Sequence, residues 1–159
     1  MVICPARPED ATVLFEMTRE LCEFEELLDE FTSTQELLHE GLFGDDPAAE
    51  ALIALVDGTV AGYALFFQAY STFTGRRGLY LEDLYIRAQY RGTGVGTKLL
   101  QAAAAVAVDR KRARMEWTVL EWNAAAKGFY KRMGAVIEPG WRVVRAMGSE
   151  LTALAKPQT

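Results

Sequence analysis

Apolar residues recur every three or four positions in four stretches of this chain, the spacing that lets an α-helix bury one face. The first stretch follows Asp10, whose carboxylate can accept hydrogen bonds from a first helical turn. The second follows Ser33-Thr34-Gln35-Glu36, which has capping-box spacing, and the fourth lies between Asn123, a suitable N-cap, and Gly134, a suitable stop. Helices are therefore predicted from Ala11 onward, from near Thr34 to Gly44, over Thr97–Arg110 and over Ala124–Met133.

Continuous apolar runs between these helices are typical of buried strands. Two runs flank Asp57-Gly58-Thr59, and because Asp-Gly supplies the positive φ angles of a tight turn, these runs are predicted to pair antiparallel. Strands are predicted at Val2–Cys4, Ala51–Val56, Val60–Tyr70, Leu79–Ile86, Arg114–Leu120, Val136–Ile137 and Trp141–Met147. The element order β-α-α-β-β-β-α-β-α-β predicts one α/β (α+β) domain over residues 1–159, with a mixed sheet flanked by helices.

The strand Leu79–Ile86 is unusual because it combines an apolar sequence with two adjacent carboxylates, Glu82 and Asp83. A buried strand face normally excludes ionised groups, since removing a charge from water costs free energy. The two acids therefore indicate a functional role for this strand.

A glycine-rich loop, Arg91-Gly92-Thr93-Gly94-Val95-Gly96, follows that strand and precedes a helix. Its glycines let backbone N–H groups approach a ligand, and the helix directs the positive end of its dipole to the same place. This arrangement favours an anion, most naturally a phosphate. The order Gly96-Thr97-Lys98 does not match a Walker loop, and the glycine spacing differs from that of dinucleotide-binding loops. Taken alone, the loop also fits an ordinary turn between a strand and a helix.

Composition and charge narrow the possible partners. Half of the 159 residues are hydrophobic, and the net charge of −5 disfavours nucleic acid and favours a cationic partner. Two cysteines and one histidine offer neither a disulfide framework nor a cluster of metal ligands, so no metal is expected. Without a signal-peptide pattern or an apolar run of about 20 residues, a cytoplasmic protein without a membrane span is expected.

Five segments of the chain resemble, in order and at compatible spacing, the GCN5-related N-acetyltransferase (GNAT) family. They are Tyr80–Asp83, Tyr90–Gly96, Glu121–Asn123, Phe129–Arg132 and Gly140–Arg142. Within the family they resemble the branch of diamine (spermidine/spermine) and thialysine N-acetyltransferases. The resemblance implies a mostly antiparallel central sheet, acetyl-CoA bound where the central strands splay apart, and a homodimer.

The same resemblance implies the residues that bind acetyl-CoA. The edge of the central strand and the helix after Asn123 would hold the pantetheine arm, and the glycine loop would hold the pyrophosphate. These residues are Leu84, Tyr85, Ile86, Arg91, Gly92, Thr93, Gly94, Val95, Gly96, Thr97, Asn123, Ala124, Ala125 and Ala126.

The implied reaction is direct attack of a primary amine on the thioester. An alkylamine with a pKa near ~10.4 is almost entirely protonated at neutral pH, so a base has to assist. Glu82 is the candidate base, because burial in an apolar strand would raise its pKa toward a useful range. Tyr130 is the candidate acid that the resemblance assigns to the departing thiolate.

The implied substrate is a small cationic amine held by Phe24, Glu25, Glu82 and Asp83. Phe24 stands where the branch has a tyrosine, and Pro139 and Phe73 also depart from the branch pattern. Six acids between Glu20 and Glu30 form either a rim that attracts this cation or simply a solvated helix face.

Three alternatives remain open at the level of sequence. An amino acid such as thialysine would need Arg76, Arg77 or Arg142 for its carboxylate. A protein N-terminus or lysine would need an open groove. A catalytically silent acyl-CoA-binding module would not need Glu82 and Tyr130.

Overall fold

The computed structural model describes residues 1–156, which form two compact units that divide after Thr118. The first unit contains strands β1 (Val2–Pro5), β2 (Glu50–Val56), β3 (Thr59–Ser71), β4 (Arg76–Ile86) and β5 (Met115–Glu116). It also contains helices α1 (Ala11–Phe24), α2 (Gln35–Phe43) and α3 (Val95–Asp109). The second unit contains α4 (Ala124–Arg132) and α5 (Gly148–Leu154).

The five strands form one sheet in the order β1-β2-β3-β4-β5. Neighbouring strands are antiparallel except for β4 and β5, which are parallel. Asp57 and Gly58, with φ angles of 50° and 80°, form the tight turn between β2 and β3. A mixed, mostly antiparallel sheet flanked by helices is thus confirmed.

The parallel pair β4–β5 is very short. Leu79 faces Met115 and Tyr80 faces Glu116, and the pairing ends there. From Leu81 to Ile86, β4 is therefore bonded to β3 on one side and has an unpaired edge on the other, within residues 1–156. This separation matches the expected splay of the central strands.

The two faces of the sheet have different helical covers. Tyr63, Leu65 and Tyr85 belong to a core cluster with Leu14 and Met17 of α1. The alternate residues of β3 point the other way. A Cβ built on Gly62 would lie 3.2 Å from Leu99 Cδ1 of α3 and only 2.6 Å from the Tyr85 carbonyl oxygen. Glycine at position 62 therefore permits the close contact of β3, β4 and α3.

Helix prediction succeeded for the first four helices, with one error at a cap. Thr34 Oγ1 accepts from the Leu37 N–H at 3.2 Å and Asn123 Oδ1 from the Ala126 N–H at 3.0 Å, as N-caps do. Asp10 does not cap α1 in this way, because its carboxylate accepts from the Arg7 N–H at 2.8 Å instead.

The predicted strands differ from the structure at the start of β4, at β5 and over residues 135–147. β4 begins at Arg76, three residues before the predicted start, because Arg76–Gly78 extends the pairing with β3. β5 spans Met115–Glu116 and not Arg114–Leu120. Residues 135–147 contain no strand, since the apolar segments there find no ladder partner within residues 1–156, and α5 was not predicted.

Candidate active site

A β-bulge in β4 separates the two adjacent acids. Asp83 pairs with Leu65 and Leu81 with Phe66, so Glu82 is an extra residue without a partner on β3. Such an insertion changes the face on which the following side chains lie. Leu81 is buried, Asp83 lies on the same face as Tyr63 and Leu65, and Glu82 is exposed. The burial expected for Glu82 therefore belongs to its neighbour, because the bulge turns Glu82 to solvent.

Asp83 ends a chain of hydrogen bonds that begins in α1. The Tyr63 hydroxyl donates to Asp83 Oδ2 at 3.0 Å and lies 3.1 Å from Thr18 Oγ1. Thr18 Oγ1 donates in turn to the Leu14 carbonyl at 2.9 Å. Burial raises the pKa of Asp83 to about 6; the charges of Glu82 and Glu25 also raise it, and the Tyr63 hydrogen bond lowers it.

The C-terminal end of α1 adds further groups around Asp83. Burial raises the pKa of the Glu25 carboxyl, so Glu25 is not a fully solvated acid. Burial, followed by the charges of Asp83, Glu25 and Glu30, raises the pKa of the Cys22 thiol. These couplings place Glu25 and Cys22 in the same electrostatic environment as Asp83. Glu25, within the acidic run, therefore lies near Asp83.

A second polar cluster fixes α1 to the end of β4. The Arg87 guanidinium donates to Glu20 at 2.9 Å from Nη2 and at 3.1 Å from Nε, and the Tyr85 hydroxyl donates to Glu20 at 3.1 Å. Arg87 also lies 3.7 Å from Glu16. A guanidinium with several partners positions the helix firmly, and this cluster holds α1 against the C-terminal end of β4.

The glycine loop forms an anion-binding arrangement at the start of α3. Gly92 and Gly94 have φ angles of 77° and 89°, and a Cβ on either would contact nothing within 4 Å. Gly94 is the N-cap and no side chain caps the helix, so the first N–H groups of α3 are available to a ligand. Thr93 Oγ1 donates to the Tyr90 carbonyl at 2.7 Å and stabilises the loop. The residues present thus fit a pyrophosphate.

Arg91 contacts the face of α1 as well as the loop. Its guanidinium lies 4.5 Å from the centre of the Phe24 ring and 5.7 Å from that of Tyr85, within the range of cation–π contacts. Its Nε donates to the Ile86 carbonyl at 3.0 Å. A cation therefore lies directly beside Phe24, which the sequence had assigned to the amine.

The second unit presents the remaining predicted residues on one short helix. Asn123 caps α4, whose first residues are Ala124, Ala125 and Ala126. Lys127 Nζ donates to the Glu121 carbonyl at 2.9 Å and to its carboxylate at 2.8 Å. Tyr130 is buried, with its ring centre 5.3 Å from that of Phe129. A buried tyrosine on a capped helix has the fixed position that a proton donor requires.

Within the first unit, Glu25 and Glu82 lie close enough to Asp83 to raise its pKa, and Arg91 lies against the ring of Phe24. Sequence reasoning missed Tyr63 and Thr18. Thr18 follows Met17 on the buried side of α1, and Tyr63 carries the hydroxyl of an otherwise apolar run, so a polar group at each of these core positions was the available signal.

Groups of metal-ligating side chains, long apolar helices and basic surface residues are features that other functional classes would use. Among residues 1–156, no group of three His, Cys, Asp or Glu side chains could hold a metal ion. No helix in that part of the chain is long and apolar enough to cross a membrane. At the basic end of α3, Arg110 pairs with Glu50, and nearby Arg114 pairs with Glu116 at 2.6 Å.

A model of the acetyltransferase (GNAT) family matches residues 14–135. The chain belongs to this family. It is thus an acetyltransferase, and the family resemblance found in the sequence is confirmed.

Relatives and solved structures agree with this assignment. Thialysine N-epsilon-acetyltransferase of Mus musculus is 37% identical over 161 residues, covering 94% of each chain. L-ornithine N5-acetyltransferase NATA1 of Arabidopsis thaliana is 41% identical over 114 residues, covering 70% of this chain and 50% of that protein. An integron cassette protein from the mobile metagenome of V. cholerae has the same fold, with a TM-score of 0.81, 23% identity and 98% coverage of each chain.

Proposed function

We propose that this acetyltransferase transfers the acetyl group of acetyl-CoA to a primary amine of a small cationic substrate, a diamine or polyamine, within a ternary complex. The observation that carries the proposal is the convergence of Glu25, Glu82 and Asp83 beside the unpaired edge of β4. Three coupled carboxyls attract and orient a substrate that carries more than one positive charge.

Acetyl-CoA supplies the activated acetyl thioester in this proposal. The first-turn N–H groups of α3 and the loop Arg91–Thr97 would bind its pyrophosphate. The free backbone edge of Leu84–Ile86 and the residues Asn123–Ala126 would bind the amide-bearing arm. Strand edges suit this task because their N–H and C=O groups are already aligned.

Glu82 would take the proton of the attacking ammonium group, directly or through a water molecule, and Tyr130 would donate to the departing thiolate. The exposure of Glu82 on the bulge gives it access to substrate. The buried position of Tyr130 keeps its hydroxyl in place.

A matched pair of variants tests the amine site. Glu25→Gln should lower kcat/KM for 1,3-diaminopropane by roughly ten- to a hundredfold, the scale of a charge-assisted hydrogen bond, and should affect propylamine less. Glu23→Gln is the control, because Glu23 is an exposed acid in the last turn of α1, two residues before Glu25. Equal losses on both amines, or equal losses in both variants, would show that the acids act only through general surface charge. No turnover with any amine would refute the proposed reaction.

An amino-acid substrate is the second candidate, favoured by the position of Arg91 beside Phe24. A diamine would meet an unfavourable cation there, whereas the carboxylate of an amino acid would find a partner. Arg76 and Arg77 are poor partners, because they lie five or more residues from Glu82 along β4, a distance of roughly 15 Å or more. The named activities of the thialysine and ornithine relatives point the same way.

Ornithine and 1,4-diaminobutane distinguish the two candidates, since they differ only by a carboxylate. If the amino acid is the substrate, ornithine should be preferred, and Arg91→Gln at saturating acetyl-CoA should reduce that preference by tenfold or more. If the diamine is the substrate, wild type should prefer 1,4-diaminobutane, and Arg91→Gln should leave that ratio unchanged.

We also propose that the protein is a cytoplasmic homodimer, in which the C-terminal segment packs on a second copy. Six large apolar side chains in that segment are exposed in the single chain, namely Trp141, Val143, Val144, Met147, Leu151 and Leu154. Such a concentration on one stretch is typical of an interface. Both cysteines carry free thiols, in keeping with a reducing compartment.

Sedimentation equilibrium tests the dimer. Val144→Glu should shift the protein toward a monomer, whereas Val108→Glu should not, although Val108 is also an exposed valine. A monomeric wild type at micromolar concentration would refute the dimer without affecting the proposed chemistry.

A further inference from the structure

The chain of hydrogen-bond contacts that ends at Asp83 lacks one proton when the Asp83 carboxyl is ionised. Three contacts link Asp83 to Tyr63, Tyr63 to Thr18, and Thr18 to the Leu14 carbonyl. Each hydrogen bond requires one proton, and the two hydroxyl groups supply two. With Asp83 ionised, Tyr63 donates to it, and Thr18 can satisfy only one of its two neighbours.

A proton on Asp83 completes the chain. The carboxylic acid then donates to Tyr63, Tyr63 donates to Thr18, and Thr18 donates to the Leu14 carbonyl, so every contact is a hydrogen bond. Only hydroxyl hydrogens rotate, and no heavy atom moves. Tyr63 itself stays protonated, because burial raises its pKa well above the ordinary value.

We propose that Asp83 stores the proton which Glu82 removes from the amine, with Tyr63 and Thr18 as the positioning residues that accommodate it. This inference rests on the proposed function. The ammonium N–H bond breaks as the proton passes to the Glu82 carboxylate, and the proton then moves to Asp83, directly or through water. Glu82 returns to its ionised form while the amine attacks and the C–N bond forms. As the C–S bond breaks, Tyr130 gives its proton to the thiolate, and the second nitrogen proton leaves through Glu82 to water, from which Tyr130 is reprotonated. The proton stored on Asp83 leaves to solvent after product release.

The groups that surround Asp83 suit such a store. Glu82 on its own strand and Glu25, which caps the C-terminus of α1, carry the like charges that favour a proton on Asp83. The Cys22 thiol, also on α1, and the Tyr63 hydroxyl, on β3, have pKa values raised by burial and remain neutral. No cation among these groups competes for the carboxylate, so its charge state follows the proton.

The pH profile of kcat/KM is the first test. Activity requires that Asp83 be ionised before the reaction begins. The fall of kcat/KM at low pH, the acidic limb of the profile, should therefore follow the protonation of Asp83, near pH 6. Tyr63→Phe removes a hydrogen bond that stabilises the ionised form, and the limb should move up by about one pH unit. Thr18→Val removes the group that accepts from Tyr63 when Asp83 is protonated, so the limb should move down, by less than one pH unit. Tyr70→Phe, an exposed tyrosine on the same strand, should leave it in place. If neither Tyr63→Phe nor Thr18→Val moves the acidic limb of the pH profile, the proposal is overturned.

The second test separates storage from simple binding of a cation. Asp83→Asn cannot take the proton, and it should lower kcat by tenfold or more to the same extent on propylamine and 1,3-diaminopropane. A loss confined to KM for the diamine would make Asp83 a binding residue and overturn the proposal.

A third measurement does not depend on turnover. In ¹³C NMR of the protein without substrates, the Asp83 carboxyl should titrate near pH 6 and shift upward in Tyr63→Phe. If this titration is seen but no amine is acetylated, the proposed function fails and the proton-accepting chain stands. If amines are acetylated but the titration does not respond to Tyr63→Phe or Thr18→Val, the chain fails and the function stands.

Discussion

Replacing Gly94 with alanine should weaken coenzyme A binding and destabilise the fold, whereas replacing Gly96 should weaken binding alone. Gly94 has a φ of 89°, a left-handed conformation that costs alanine about 1–2 kcal/mol, and its Cβ would meet no neighbour. Gly96 is the second residue of α3, where alanine gains roughly 0.5–1 kcal/mol of helix stability. The new Cβ tilts toward the helix N-terminus and crowds the anion.

The loss of one charge-assisted hydrogen bond to phosphate corresponds to about 1.5–3 kcal/mol, so the Kd should rise by roughly ten- to a hundredfold in both variants. Calorimetry measures the affinity, and urea denaturation measures the free energy of unfolding. Gly58→Ala is the control for strain: Gly58 has a φ of 80° and an open Cβ position in the β2–β3 turn. It should lose the same stability as Gly94→Ala and no affinity. Unchanged coenzyme A affinity in folded Gly96→Ala would refute the phosphate role of the loop.

Three further predictions concern the acid, the buried carboxyl and the sheet. Tyr130→Phe should lower kcat by about 10²-fold with little change in acetyl-CoA affinity, and near-normal turnover would leave Tyr130 a packing residue. Because the pKa of Asp83 rises from 3.8 to about 6 on folding, its stabilising contribution is complete below about pH 4 and is lost as pH rises through 6. Asp83→Asn should therefore gain about 2 kcal/mol over wild type between pH 4 and pH 7 in urea denaturation, and a constant difference would contradict this assignment. Gly62→Ala should destabilise the protein by about 1–3 kcal/mol, since its Cβ would lie 2.6 Å from the Tyr85 carbonyl oxygen, and an unchanged melting curve would show that the strands can separate without cost.

The sequence was informative where each signal is local. Apolar periodicity located the first four helices, and Asp57-Gly58 located the hairpin, because these signals act over a few residues. The glycine loop was also predictable as a loop, since Gly92 and Gly94 take the positive φ angles that glycine favours. The strands predicted near residues 136–147 are absent from the structure for a different reason. A strand needs a hydrogen-bonding partner, and an apolar run does not show whether a partner lies beside it.

The sequence did not predict on which face of the sheet Glu82 and Asp83 lie, nor which of them is exposed. In a regular strand, Asp83 would lie on the same face as Leu81, and Glu82 would face Tyr63's side of the sheet. One unpaired residue reverses this relation beyond the bulge. No local residue pattern predicted the bulge, because it depends on the pairing of β4 with β3. The sequence therefore drew attention to the acidic pair but assigned burial to Glu82, which is exposed, and not to Asp83, which is part-buried.

The bulge itself can be tested by removing one residue. Without Glu82, Leu81 and Asp83 become neighbours on opposite faces, and they can keep their partners Phe66 and Leu65 in an uninterrupted ladder. The free energy of unfolding should then stay within about 1 kcal/mol of wild type, since no buried side chain changes its surroundings. Turnover should fall by 10²-fold or more, because the exposed carboxylate is lost while Asp83 and Tyr63 remain. Glu82→Gln keeps the bulge and should lose activity to a similar extent. If the shortened protein no longer unfolds cooperatively while Glu82→Gln still does, then the bulge is needed for the stability of the sheet. If the shortened protein is stable and inactive, the extra residue in β4 serves the reaction and the sheet merely tolerates it.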